Sequence, residues 1–113
     1  MSRAHTTPKD IRKNIEALHE ALCEMEYLSS GTLVKRMKLC GNPRCQCKVD
    51  RAARHGPYYE WGFVKDGKLR HRMLSPRRAD LMRLAISNYR KVKKLLKAWE
   101  AETVRLIELN VPD

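Results

Sequence analysis

Cys40, Cys45, Cys47 and His55 follow one another as C-x4-C-x-C-x7-H. Three thiolates and one imidazole satisfy a tetrahedral Zn2+ site and leave no open position, so such an ion shapes a loop and performs no chemistry. Gly41, Asn42 and Pro43 supply the tight turn that lets the sulfurs converge. The Cys45-x-Cys47 step departs from the common C-x2-C knuckle and demands an unusual loop. A disulfide would leave one clustered cysteine unpaired and suits an oxidising compartment. A catalytic Cys–His pair would need a cleft and an oxyanion site, which nothing in so short a chain suggests. Unconnected cysteines in a basic loop are the plain alternative. His71 is the reserve fourth ligand should His55 not serve.

Around this cluster the charge is lopsided. The chain has 113 residues, with 24 Lys+Arg against 13 Asp+Glu, a formal net charge of +11. Residues 33–99 hold 19 of the basic and 4 of the acidic side chains, while the flanking stretches are weakly acidic. A basic middle between acidic ends is the pattern of an anion-binding face, and nucleic acid is its commonest partner. The plain alternative is a solvated surface. The scarce acids of the middle, Asp50, Glu60, Asp66 and Asp80, are not clustered. That argues against a nuclease, which normally gathers carboxylates around paired metal ions.

The cluster needs a scaffold, and residues 55–74 provide one. Asp66-Gly67 is a strong type I′ hairpin signal between aromatic and β-branched runs. It sets Lys65 opposite Lys68, Val64 opposite Leu69, Phe63 opposite Arg70, Gly62 opposite His71, Trp61 opposite Arg72 and Tyr59 opposite Leu74. Strand alternation then puts Tyr59, Trp61, Phe63, Arg70 and Arg72 on one face, with Gly62, Val64, Leu69, His71 and Met73 on the other. Rings beside guanidinium groups can stack bases and bind phosphates, or simply form an aromatic–Arg ladder tucked against a helix. Residues 32–39 alternate as a third strand leading into Cys40.

Helices close both ends. Thr7, Pro8 and Asp10 form a helix start, and Ile11, Ile15, Leu18, Leu22 and Met25 recur on a heptad seam, predicting a helix over residues 8–28. Cys23 beside that seam reads as a buried or half-buried free thiol, and His19 as ordinary surface. Ser75-Pro76 repeats the start signal. Helical periodicity then runs over residues 76–109 through Leu81, Ala85, Asn88, Val92, Leu95, Trp99, Glu102, Leu106 and Leu109. At ~1.5 Å per residue the helices span about 31 and about 51 Å. Antiparallel packing of the first against residues 76–97 would leave an overhang bearing Trp99, Val104, Leu106, Ile107 and Leu109. Such a stripe calls for a second copy or another protein. The fold class is therefore α+β: an N-terminal helix, a small antiparallel sheet with a zinc loop, and a long C-terminal helix forming an antiparallel helical pair in one domain.

The run Leu39-Cys40-Gly41-Asn42-Pro43-Arg44-Cys45-Gln46-Cys47, then His55-Gly56-Pro57-Tyr58, then the Gly67-Lys68 hairpin and Asn88-Tyr89-Arg90, is similar to a family of short bacterial proteins. That family shows a C-G-x-x-x-C-x-C … H-G-P-Y … N-Y-R pattern and is associated with transposons and other mobile elements. The resemblance covers residues 32–100. It implies His55 as the fourth ligand, and a DNA-binding accessory factor without a transposase or recombinase core.

The sequence thus points to a non-enzymatic, zinc-stabilised nucleic-acid-binding protein assisting a recombinase, transposase or other DNA complex, with DNA favoured over RNA. Phosphate contacts are assigned to Lys35, Arg36, Lys38, Arg44, Arg51, Arg54, Arg70, Arg72 and Arg90, and base stacking to Trp61. The alternative is a protein-interaction adaptor whose helical stripes form a coiled-coil-like working surface and whose zinc is only a clasp. No run of about 18 apolar residues predicts a membrane span. The N-terminal stretch lacks the apolar core of a secretory signal, so a cytoplasmic location with reduced thiols is expected.

Overall fold

The computed structural model of the chain describes residues 6–110. Helix α1 is Pro8–Cys23, strand β1 Thr32–Lys38, strand β2 His55–Lys65, strand β3 Lys68–Leu74 and helix α2 Pro76–Asn110. Two 3₁₀ turns, Gln46–Lys48 and Arg51–Ala53, lie between β1 and β2. The chain divides into two compact units. Among the described residues, one takes 6–26 and 88–110, the other 27–87.

In the first unit α1 begins as its sequence dictates. Thr7 accepts from the Asp10 amide, and the Asp10 carboxylate accepts from the Thr7 amide, a reciprocal capping box with Pro8 in the first turn. Its apolar seam packs on the C-terminal half of α2. Asn14 donates to Glu102 at 3.3 Å, and the His19 ring meets Trp99 edge-on at 4.4 Å between centroids. Residue numbers fall along α2 as they rise along α1, so the pair is antiparallel. Ile11 is fully buried, and Ile15, Leu18, Leu22, Val92, Leu95, Trp99 and Leu106 are half-buried.

Four expectations are corrected here. The overhang is not left wholly uncovered: Trp99 and Leu106 lie on the seam that faces α1, while Val104, Ile107 and Leu109 stay exposed. The partner of α1 is the distal half of α2, because the proximal half serves the sheet unit, where Ala79, Ala85 and Ile86 are buried. Helix α1 also stops at Cys23, short of residue 28, so Met25 is not part of it. The chain is drawn off by the sheet. The Ser29 amide donates to the Ala85 carbonyl, the Trp61 indole donates to the Ser30 carbonyl, and Gly31 at φ 113° presses against Gly62. Finally, Cys23 is exposed, since it falls beside the buried seam and not on it.

In the second unit β2 is central, in the order β1-β2-β3, with both pairings antiparallel. Every hairpin pair written from the Asp66-Gly67 turn is observed, from Lys65 opposite Lys68 to Tyr59 opposite Leu74. Both turn residues have positive φ, 53° and 75°, as a type I′ turn requires. Strand β1 adds Leu33 beside Trp61 and Lys35 beside Tyr59 on the aromatic face. A groove of about 380 Å³ is walled by Trp61, Arg72 and Leu74 on one side and by Arg78, Leu81, Met82 and Ala85 of α2 on the other. Helix α2 is capped by Ser75, whose hydroxyl accepts from the Arg78 amide. No helix among the described residues is long and apolar enough to cross a membrane.

Candidate metal centre and the basic sheet

The loop between β1 and β2 is folded by its own turns. The Asn42 side chain accepts from the Arg44 amide at 3.0 Å, and the Asn42 carbonyl accepts from the Cys45 amide at 3.1 Å. The Gln46–Lys48 turn then brings Cys47 inward, while Asp50 caps the next turn by accepting from the Ala52 amide. The unusual Cys45-x-Cys47 step is thus a 3₁₀ turn, which carries its two cysteines toward one point.

That point is shared by Cys40, Cys45, Cys47 and His55, whose ligand atoms all lie within 4.8 Å of one another. The Cys40 and Cys47 sulfurs are 3.6 Å apart, and the Cys45 sulfur is 3.2 Å from His55 Nε2. A tetrahedral ion held at zinc-like bond lengths needs sulfurs about 3.8 Å apart and sulfur and nitrogen about 3.6 Å apart. The donors therefore fit a tetrahedral thiophilic cation without rearrangement of the fold. Cys47 is buried, and the other three are half-buried. The Cys40 amide donates to the Cys47 sulfur at 3.4 Å and, as the leading cause, pulls that thiol down to about 7. A sulfur held as thiolate near neutral pH is ready to ligate.

His55 reaches the cluster because β2 starts in a special way. Lys38 pairs with His55 after an irregularity in β1 beyond Arg36. Gly56 sits at φ 133°, and a Cβ there would stand 2.9 Å from the Arg36 carbonyl oxygen. Only glycine allows this strand entry, which is the physical content of the His55-Gly56-Pro57 run. The Gly56–Pro57 bond is cis. His71 stands elsewhere. Its Nδ1 faces Glu60 at 3.6 Å, and it is not among the residues of this cluster. Lys48 was not singled out from the sequence. Its ammonium donates to the Cys40 carbonyl, and its positive charge favours the Cys47 thiolate. Its position next to Cys47 was the available signal.

The proposed contact residues divide by environment. Lys35, Arg36, Lys38, Arg44, Arg51, Arg70 and Arg72 belong to the sheet unit and are exposed, whereas Arg90 is an exposed residue of the other unit. Arg36 pairs with Glu60 at 3.5 Å, Lys38 lies over the Tyr58 ring and Arg72 over the Phe63 ring. Arg54 is half-buried, and its Nε has no hydrogen-bond partner among the described residues. Trp61 is half-buried, stacked on Phe63 at 4.0 Å, with its indole N–H donated to Ser30. Its ring is part of the ladder between sheet and helix.

A family model, a domain of unknown function (DUF6788), matches residues 8–83. No curated protein and no solved structure matches the chain.

Proposed function

The chain belongs to the DUF6788 family, which carries kinship without an assigned chemistry, and from the site itself we propose that it is a non-enzymatic, zinc-stabilised nucleic-acid-binding accessory protein. One observation carries this reading: the sheet unit's cations are left without acids to balance them. Residues 27–87 contain 14 Lys+Arg against 4 Asp+Glu. Those acids already have local tasks. Glu60 faces Arg36 and His71, Asp80 pairs with Arg83, Asp50 caps a turn, and Asp66 forms the hairpin bend. A zinc ion on three thiolates adds one further negative charge, which Lys48 stands beside. What remains is a cationic sheet of fixed shape, suited to successive phosphates and indifferent to sequence.

Zinc is favoured over other ions by the Cys3His donor set and its closed geometry. When bound, it ties β1 to β2 and holds the Arg44–Arg54 loop in place. The ladder position of Trp61 favours phosphate contact by Arg70, Arg72, Lys35 and Arg44 over base stacking. The resemblance to short bacterial proteins of mobile elements supports a role beside a recombinase or transposase, with DNA as the nucleic acid and the reducing cytoplasm as the compartment.

The test is fluorescence anisotropy of the zinc-loaded chain with labelled duplex DNA, single-stranded DNA and RNA across a salt series. Affinity for duplex DNA should fall steeply, with a log–log slope of about −0.9 per phosphate contacted. Arg70→Glu with Arg72→Glu should weaken it at least tenfold while the metal content stays constant. Binding untouched by that double reversal would sink the sheet as the contact face. Tighter binding to RNA would replace DNA as the ligand.

A further inference from the structure

Helix α2 has a second stripe that α1 leaves uncovered. On the distal half, Val92, Leu95, Trp99, Glu102 and Leu106 face α1. Turned by about 100° around the same helix run Tyr89, Leu96, Thr103 and Ile107, spaced by seven, seven and four residues. This is heptad spacing. Tyr89, Leu96 and Ile107 are exposed, as is Val104 alongside them. A groove of about 570 Å³ lined by Leu96, Trp99, Glu100, Thr103 and Val104 runs along it. The unit is also short of core. Ile11 is its one fully buried apolar side chain among the described residues. Two helices with so little buried surface are half of a bundle, and a second pair would complete four.

Two charged residues on the stripe decide what covers it. Lys93 and Glu100 occupy the positions between Tyr89, Leu96, Thr103 and Ile107, and Lys93 lies over the Tyr89 ring at 5.8 Å. They are two helical turns apart, about 10.5 Å along one helix, too far to pair within a chain. Against a second copy running antiparallel, the register that sets Lys93 of each chain beside Glu100 of the other also sets Tyr89 beside Val104. Against a parallel copy like charge would meet like. The longer trend agrees. Arg90, Lys91, Lys93, Lys94 and Lys97 precede Glu100 and Glu108 along the helix, so reversal of direction sets basic on acidic.

We propose that the Tyr89–Leu96–Thr103–Ile107 stripe is the interface with a second copy of this chain, packed antiparallel about a two-fold axis as a four-helix bundle. This keeps Ile107 and Val104 of the stripe expected from the sequence but moves self-association off Trp99 and Leu106, which α1 covers, and it stands independently of nucleic-acid binding.

The experiment is sedimentation equilibrium of the full-length, zinc-loaded chain over a concentration series, with circular dichroism to confirm folding. The wild type should be a dimer. Leu96→Glu with Ile107→Glu should raise the dissociation constant at least a hundredfold at unchanged helicity. Lys93→Glu alone and Glu100→Lys alone should each weaken the dimer about tenfold or more. The double swap, Lys93→Glu with Glu100→Lys, should restore it. Restoration requires the two positions to meet across chains, which neither a parallel pair nor a different interface provides. A wild-type monomer throughout, a dimer indifferent to the stripe variants, or single charge variants that the double swap fails to rescue would each overturn the proposal.

Discussion

Cys45 and His55 approach each other more closely than Cys40 and Cys47 do, so the cluster is closed by one contact from a turn and one from a strand end. Removing either half of the first contact should open it. Cys45→Ser and His55→Ala are each expected to drop zinc content from about one per chain toward none, read by native mass spectrometry or elemental analysis. His71→Ala should leave it unchanged, because His71 faces Glu60 and not the sulfurs. Gly56→Ala tests the backbone behind the ligand. A methyl group there would meet the Arg36 carbonyl at 2.9 Å from a positive φ. A cost of about 1–3 kcal/mol is expected for such strain, visible as a lower melting temperature and weaker metal retention with all four ligands intact.

At the scale of elements, α1 depends on its first turn. Thr7→Ala should destabilise it by about 1 kcal/mol, measured as a shift in thermal unfolding followed at the helical signal. Asp10 makes that turn sensitive to acid. The Thr7 amide donated to its carboxylate, with the Thr7 hydroxyl, holds its pKa below the ordinary 3.8. A carboxylate depressed in the folded state stabilises above the unfolded value, and that contribution is lost as pH falls through the lowered one. Asp10→Asn should therefore flatten the acid limb of the stability–pH curve. These same elements show what sequence can specify. The capping residues, the Ser75-Pro76 start, the Asp66-Gly67 register and the cysteine loop are local, and each was legible because its cause lies within a few residues. The end of α1 was not. Nothing in residues 24–28 breaks a helix; the chain leaves it for bonds at Ser29, Ser30 and Gly31 made with distant partners. The half of α2 that α1 chooses was illegible for the same reason. Both halves carry the seam, and only the sheet's claim on the proximal half decides. Which stripe of α2 is covered likewise depends on where α1 lands.

At the scale of the molecule, apolar burial is thin. The fully or nearly buried apolar side chains among the described residues are Ile11, Cys47, Ala79, Ala85 and Ile86. Ile11→Ala should thus cost about 2–5 kcal/mol, read from chemical denaturation, since few other side chains stand ready to compensate. Cys47 is among the most completely buried side chains of the sheet unit, so a metal ion bound there would take the place of a core, and its binding free energy would be folding free energy. The sheet has another consequence, which lies at its margins. β1 and β3 are its outer strands, and both carry cations along them: Lys35, Arg36 and Lys38 on one, Lys68, Arg70 and Arg72 on the other. An unpaired strand margin is a template onto which another chain can add, and like charges along it keep copies apart. These side chains accordingly guard the protein against growing into fibrils. Replacing Arg70 and Arg72 by glutamine should bring on light scattering and thioflavin-positive material at concentrations where the wild type stays clear. Replacing them by glutamate keeps the margin charged, so that variant should remain dispersed.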